Sequence, residues 1–134
     1  MKYLLDTNAC IRYLNARSER LRERLDVTPP EEVAVCSIVE AELFFGAAKS
    51  QSPDKTLAAQ RLFLEKFYSL PFDSDAALHY GKIRADLERR GNPIGANDLL
   101  IASIAVANKL ILVTHNTREF AVVVGLSLED WESD

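Results

Sequence analysis

The sequence predicts an α/β protein built as a three-layer sandwich, in which helices flank a mostly parallel central sheet. Short apolar runs of strand length alternate along the chain with longer segments of helical length, and this alternation is typical of parallel sheets. Polar residues that favour helix starts follow most of the apolar runs. The 134 residues can bury a sizeable core, so we expect one domain over residues 1–134.

Five short segments are predicted to be strands. They cover residues 3–5, 33–36, 70–72, 110–113 and part of 122–131. The segments between them are predicted to be helical. They cover residues 7–14, 18–25, 38–49, a longer helix that ends near 68, 75–90, 96–108 and a turn or short helix up to 120. The helix at 96–108 is almost wholly apolar after Asp98, so we expect it in the core.

Capping residues mark several of these boundaries. Thr7 and Asn8 are predicted to cap the first helix, and Ser37 with Glu40 forms the pattern of a capping box before the third. The other boundary residues are the breaker Thr28-Pro29-Pro30, the caps Asp73 and Ser74, and the C-terminal Gly91.

The composition favours a globular cytoplasmic protein. Apolar residues make up 48% and charged residues 27% of the chain, which is ordinary for that class. Cys10 and Cys36 lie in apolar runs, so we expect buried thiols and no disulfide framework. The sequence shows neither the apolar stretch of a signal peptide nor a membrane span, so we expect no membrane partner.

The net charge of −4 counts against a nucleic-acid binder, which is more often basic. An acidic metal site would make the net charge negative without repelling RNA, because bound cations cancel the charge of its carboxylates. Two arginine clusters are interpreted as solvated helix faces, with phosphate binding as the alternative. They comprise Arg12, Arg17, Arg20, Arg22 and Arg24, and Arg84, Arg89 and Arg90.

Four oxygen-bearing side chains are predicted to meet at one edge of the sheet. Asp6 ends the first strand, Glu42 lies early in the helix after the second, and Asn116 follows the strand at 110–113. Asp98 begins the helix that runs antiparallel into that strand, so it reaches the same edge. Each residue also has a local alternative as a helix cap, an exposed helix residue or a turn residue.

Clustered carboxylates without nearby thiols favour a hard cation, Mg²⁺ or Mn²⁺. One ion or two ions would serve hydrolysis of a phosphodiester. His115 lies near the predicted cleft and is interpreted as a surface residue, with substrate contact as the alternative.

Five segments resemble motifs of the PIN-domain family, in order and over essentially the whole chain. They are Leu4-Leu5-Asp6-Thr7-Asn8, Ala41-Glu42-Leu43-Phe44-Phe45-Gly46-Ala47, Asn97-Asp98-Leu99-Leu100-Ile101-Ala102, Val113-Thr114-His115-Asn116-Thr117-Arg118-Glu119-Phe120, and Gly125-Leu126 through Glu129-Asp130-Trp131. The last is typical of the VapC-type toxins, one subgroup of the family.

The resemblance implies a PIN-like fold and a Mg²⁺- or Mn²⁺-dependent endoribonuclease that cuts structured RNA, often tRNA. It also implies a toxin that forms a homodimer and is inhibited by a VapB-type antitoxin. Asp6, Glu42 and Asp98 match metal ligands, whereas Asn116 stands where many members have aspartate and is expected to orient water or substrate. Thr7, Asn8 and Thr114 are expected to hold the ligating carboxylates in place.

Three other functions compete with this interpretation. One is a PIN ribonuclease that processes RNA without a toxin role, and another is a non-catalytic nucleic-acid-binding or interaction partner with vestigial acids. The third is a signalling receiver domain, which also has a small α/β fold and an acidic magnesium pocket. Its phosphoacceptor would be Asp54 by position, but that residue lies at a predicted helix start.

Overall fold

The fold is built on one sheet of five parallel strands in the order β3-β2-β1-β4-β5. A computed structural model describes residues 1–133. The strands are β1 (Tyr3–Leu5), β2 (Val33–Cys36), β3 (Tyr68–Leu70), β4 (Ile111–Val113) and β5 (Ser127–Glu129). Leu4 on the central strand pairs with Ala34 of β2 and Leu112 of β4. The predicted α/β class with a parallel sheet is confirmed.

Helices flank this sheet, as the alternating sequence pattern predicts. They are α1 (Thr7–Leu14), α2 (Glu19–Val27), α3 (Ser37–Ala48), α4 (Pro53–Leu64), α5 (Ser74–Arg90), α6 (Ala96–Ala107) and α7 (Thr117–Phe120), with a 3-10 turn at Pro30–Glu32. Helices α1, α3 and α4 pack together, and α5 packs along α6.

The strand order places a topological switch point between β1 and β4. From β1 the chain moves outward through β2 to β3, and the connection through α5 and α6 then returns it to the other side of β1. In parallel sheets, ligands bind beyond the carboxyl ends of the strands at such a point. Residues that directly follow β1 and β4 therefore occupy the position of a functional site.

The strands near the centre of the sheet are buried and carry most of the core. Every residue of β1 and β2 is buried, and Leu112 of β4 has no exposed surface. Helix α6 buries six of its residues, which confirms the prediction of a core helix. Cys10 and Cys36 are buried free thiols, as expected.

Two predicted caps are wrong. Asp6, not Thr7 or Asn8, caps α1: its backbone is extended and its carboxylate accepts the Ala9 N–H at 2.8 Å. The proposed capping box is absent because β2 continues directly into α3. Cys36 is the last extended residue, so Ser37 is already helical, and Glu40 instead accepts a hydrogen bond from the Ser69 hydroxyl.

The region between α4 and α5 also differs from the prediction. Helix α4 ends at Leu64, and β3 covers Tyr68–Leu70 where a strand at 70–72 was expected. Only Leu70 of this edge strand is buried, so its apolar pattern is too weak to set its bounds. The caps of α5 at Asp73 and Gly91 are as predicted, and Gly91 adopts the left-handed conformation with φ of 68°.

No helix within residues 1–133 is both long enough and apolar enough to cross a membrane.

Replacing Leu4 with alanine is predicted to lower the free energy of unfolding by about 2–5 kcal/mol, because it leaves a cavity at the centre of the sheet. Urea denaturation monitored by circular dichroism measures the change. The matched control is Leu62→Ala on α4, where the side chain is 68% exposed and the expected change is within about 0.5 kcal/mol. Equal losses in the two variants would contradict the assignment of the core.

Candidate active site

Asp6 is a buried carboxyl at the switch point. It directly follows β1 and is only 4% exposed. The Thr114 hydroxyl, which follows β4, and the Ala9 N–H both hydrogen-bond to it. Burial raises the pKa of Asp6 despite these bonds, and Glu132 and Glu42 add repulsion in the same direction.

Glu42 reaches this edge from α3. Its Oε1 accepts a hydrogen bond from the Thr7 hydroxyl at 2.5 Å, and its Oε2 accepts one from the Asn97 amide at 3.3 Å. Thr7 lies in the first turn of α1 and Asn97 in the first turn of α6. Donors from two other helices therefore fix the direction of this carboxylate.

Asp98 completes the predicted trio from the first turn of α6. Burial, followed by the neighbouring Glu119 carboxyl, raises the pKa of Asp98 to about 7. The charges of Glu42 and Asp6 shift it in the same direction. The structure thus brings together all three acids that the sequence predicts, although they lie far apart in the chain.

Glu119 is a fourth acid that the sequence analysis did not select. It lies in α7, hydrogen-bonds to Asp98, and is held by the Gly95 N–H at 3.0 Å and by the side-chain amide of Asn116. The sequence carried a signal for it, because Glu119 lies one helical turn after Asn116, beyond the carboxyl end of β4. Its neighbour across the cleft, Gly95, could not be inferred from spacing.

The other four predicted site residues, Asn116, Thr7, Thr114 and Asn8, differ in their contacts with the acids. The Asn116 amide donates to Glu119, and its own N–H donates to the Thr114 hydroxyl at 3.0 Å. Thr7 and Thr114 hydrogen-bond to site carboxyls, as expected for supporting residues. Asn8 is exposed, and within residues 1–133 no hydrogen bond joins its side chain to those carboxyls.

A tighter group of potential metal ligands lies beside the site. The ligand atoms of His115, Asp130 and Glu132 lie within 4.8 Å of one another. Arg12 already pairs with Glu132 at 2.5 Å, and the His115 Nδ1 contacts Asp130 at 3.0 Å. Because Glu132 already pairs with Arg12 and Asp130 with His115, we do not assign a metal ion to this group.

The donor set of Asp6, Glu42, Asp98 and Glu119 fits a hard divalent cation. All four ligands are carboxyl groups, and the ion pairs formed by arginine and histidine within residues 1–133 involve other acids. Carboxylate oxygens suit Mg²⁺, which keeps several waters and takes one or two carboxylates directly.

Two grooves flank α1 next to these acids, and Ile11 and Asn15 line both. The apolar groove, between α1, α3 and α4, has a volume of about 410 Å³. Its lining residues are Ile11, Leu14, Asn15, Glu42, Leu43, Gly46, Lys55, Thr56, Ala59 and Gln60. The polar groove has a volume of about 590 Å³. Its lining residues are Asn8, Ile11, Arg12, Asn15, Arg17, His115 and Asn116.

Comparison with known proteins identifies the family of this chain. The PIN domain family matches residues 3–126, which is most of the chain. The chain belongs to the PIN-domain family.

Within the PIN family, its relatives are VapC proteins. The chain is 42% identical to a tRNA(fMet)-specific endonuclease VapC of Shigella flexneri and 40% identical to the protein of that name from Salmonella typhimurium. Each match covers 98% of both sequences. The DNA-bound VapBC of Salmonella typhimurium contains a similar PIN chain, with a TM-score of 0.93 at 40% identity over 98% of both chains.

The acidic cluster predicts that metal-free protein loses stability as the pH rises. The pKa of Asp98 is about 7 in the folded protein and 3.8 by its ordinary value, so the folded state binds more protons between these limits. The free energy of unfolding therefore falls from about pH 4 to about pH 7, and the raised pKa of Asp6 acts in the same direction. Thermal melts in EDTA across this range measure the decline.

Asp98→Asn is the matched variant for these melts, because it removes the titrating group and retains the shape. It is expected to melt several degrees higher than the wild type at pH 8 in EDTA and to show a shallower pH dependence. Addition of Mg²⁺ is expected to stabilise the wild type more than the variant. A flat pH profile for the wild type would show that the carboxyls do not repel one another in solution.

Proposed function

We propose that this protein is a Mg²⁺- or Mn²⁺-dependent endoribonuclease and the toxin of a VapBC-type toxin–antitoxin pair. The observation that carries the proposal is the convergence of Asp6, Glu42, Asp98 and Glu119 at the switch point of a PIN fold. The relatives named as VapC endonucleases and ribonucleases support an RNA substrate.

In this proposal, Asp6, Glu42 and Asp98 hold the metal ion. When bound, such an ion supplies positive charge that activates water and offsets the negative charge that develops on the phosphodiester. Thr7, Asn97 and Thr114 orient the carboxylates by the hydrogen bonds described above. Asn116 acts through Glu119, which its amide holds against Asp98.

The reaction is hydrolysis of an RNA strand. Water adds to phosphorus, the bond to one ester oxygen breaks, and that oxygen leaves with a proton. The attacking water supplies that proton, and Asp98 and Glu119, which share a hydrogen bond, lie beside the phosphodiester in this proposal. Structured RNA such as tRNA is the proposed substrate, by analogy with the tRNA(fMet)-specific relatives.

The same proposal includes a VapB-type antitoxin, a homodimer and a cytoplasmic site of action, where cellular RNA is available. Structural neighbours solved as VapBC complexes support the antitoxin. Exposed apolar side chains are available for contacts between chains, among them Leu62 and Phe45. The alternative is a PIN ribonuclease that processes RNA without a toxin role, so a toxin role requires growth arrest that the antitoxin relieves.

Purified protein is expected to cut a total-RNA pool into discrete fragments with Mg²⁺ or Mn²⁺, and to stop when EDTA is added. Asp6→Asn and Asp98→Asn are each expected to lower the cleavage rate by at least about 100-fold, because they remove charge that binds the ion. Glu119→Gln is expected to lower it less, because the glutamine still accepts the Gly95 N–H. Gel electrophoresis of end-labelled RNA gives the rates.

The control for this experiment is Glu88→Gln on α5, an exposed glutamate that pairs with Arg84 away from the site. It should cleave like the wild type. Normal cleavage by both aspartate variants would disprove the site, and no cleavage by folded, antitoxin-free wild type would favour a non-catalytic binding partner.

We further propose that the apolar groove between α1, α3 and α4 receives the antitoxin. Glu42 lines this groove, so a chain bound there would lie against the acids. Gln60 in its wall donates to the Leu43 carbonyl at 2.9 Å, while its buried Oε1 has no hydrogen-bond partner within residues 1–133. A buried acceptor without a partner lowers the stability of the fold.

Ala59→Arg is predicted to weaken antitoxin binding by at least about tenfold, because it places a long charged side chain in the wall of the apolar groove. Isothermal titration calorimetry with a peptide of the antitoxin measures the change in affinity. The variant should still cleave RNA. The matched control is Ala58→Arg, which is exposed on the same helix and does not line the groove. Equal affinities for the two variants would assign the antitoxin to another surface.

A further inference from the structure

We infer that the polar groove on the other side of α1 binds the RNA nucleotide next to the cleavage site, with Arg17 on a phosphate and His115 against a base. This inference rests on the proposed ribonuclease function. It assigns two residues outside the acidic cluster to the positioning of substrate.

The groove lies next to the acidic cluster, to which it is linked through Asn116. Asn116 lines it and donates to Glu119, which hydrogen-bonds to Asp98. Asn8, which also lines the groove, lies two residues after Asp6 in the first turn of α1. An RNA strand whose phosphodiester lies at the acids would therefore continue into this groove.

The lining of the groove suits RNA more than the rest of this acidic protein does. Among residues 1–133 it includes two arginines and a histidine but no carboxylate, whereas the protein as a whole has a net charge of −4. Its three asparagine amides can each donate and accept hydrogen bonds, as recognition of unpaired base edges requires. Its volume of about 590 Å³ lies within the usual range of ligand clefts.

Arg17 is the cation available for a phosphate. The other lining arginine, Arg12, is held by Glu132 at 2.5 Å. Arg17 is exposed, and within the part of the chain that the structure describes no carboxylate pairs with it. It follows Ala16, whose φ of 52° turns the chain after α1, and its N–H donates to the Arg12 carbonyl at 2.9 Å. The turn is thus anchored while the guanidinium stays exposed.

His115 provides an oriented aromatic ring. Its Nδ1 contacts the Asp130 carboxylate at 3.0 Å, and 58% of the side chain remains exposed at the groove. Imidazole is one of the rings on which RNA-binding proteins stack unpaired bases. The contact with Asp130 fixes the ring in advance, which lowers the entropic cost of stacking.

The test compares Arg17→Ala, Arg17→Lys, His115→Ala and His115→Tyr with the matched control Arg89→Ala, an exposed arginine on α5 outside the groove. Steady-state cleavage of bulk transfer RNA gives KM and kcat. Filter binding to the same RNA, with every variant placed in the Asp98→Asn background, gives Kd as a function of salt.

Arg17→Ala is expected to raise KM and Kd roughly tenfold with a much smaller change in kcat. It should also reduce the slope of log Kd against log salt by about 0.7–0.9, the loss of one phosphate contact. Arg17→Lys should keep the slope. His115→Ala should raise Kd roughly tenfold without changing the slope, and His115→Tyr should restore binding because it retains a ring.

Unchanged KM and salt slope in Arg17→Ala, with wild-type cleavage intact, would overturn this inference and leave the proposed ribonuclease standing. The inference would equally fail if Arg89→Ala lowered affinity as much as Arg17→Ala, because the effect would then be one of net charge. Absence of cleavage and binding by the wild-type chain would instead overturn the proposed function, and the inference with it.

Discussion

The crowding of negative charge at the carboxyl edge of β1 and β4 is the constraint on which the rest of the structure depends. Asp6 is almost fully buried, and burial together with the nearby Glu119, Glu42 and Asp6 carboxyls raises the pKa of Asp98 to about 7. Such a cluster lowers the stability of the folded protein unless protons or a cation balance it. Hydrogen bonds from Thr7, Thr114, Asn97, Asn116 and the Gly95 N–H hold the four groups in place. The fold is thus destabilised by the group of carboxyls where an ion would bind. Functional sites commonly contain such shifted carboxyls.

Helix α1 connects this site with two surfaces of different chemistry. Asp6 caps its start, and Ile11 within the helix and Asn15 at its C-terminal cap line both grooves. One groove is mainly apolar and includes Gln60, whose Oε1 has no hydrogen-bond partner within residues 1–133. The other is polar, with no carboxylate among its described lining residues. The first has the character of a protein-binding surface, and the second that of a surface for nucleic acid. Glu42 lines the first groove, and Asn116, which holds Glu119, lines the second, so a chain bound in the first would lie within reach of a substrate held in the second.

Sequence reasoning succeeded where burial dictates residue type. The apolar runs that became β1, β2 and β4 and the apolar helix α6 are buried, so their patterns were clear. It failed at boundaries set by only a few residues. Asp6 replaced Thr7 and Asn8 as the cap of α1, the box of Ser37 and Glu40 did not form, and β3 began two residues earlier than expected. The two capping errors concern polar side chains with several available partners, of which the tertiary structure selected one. The error at β3 concerns an edge strand with only one buried residue.

The sequence by itself determined the parallel α/β architecture and the shared sheet edge of Asp6, Glu42 and Asp98. Local sequence patterns predict where strands end and helices start, and the parallel topology brings these positions to one edge of the sheet. Only the tertiary structure decided which other groups face them. Glu119 reaches Asp98 because α7 and the turn before α6 meet across the cleft, and no periodicity encodes that meeting. The pairing of Arg12 with Glu132, which leaves Arg17 as the available cation of the polar groove, joins residues 120 positions apart in the chain. Such contacts depend on how whole elements pack, and packing is a property of the complete chain.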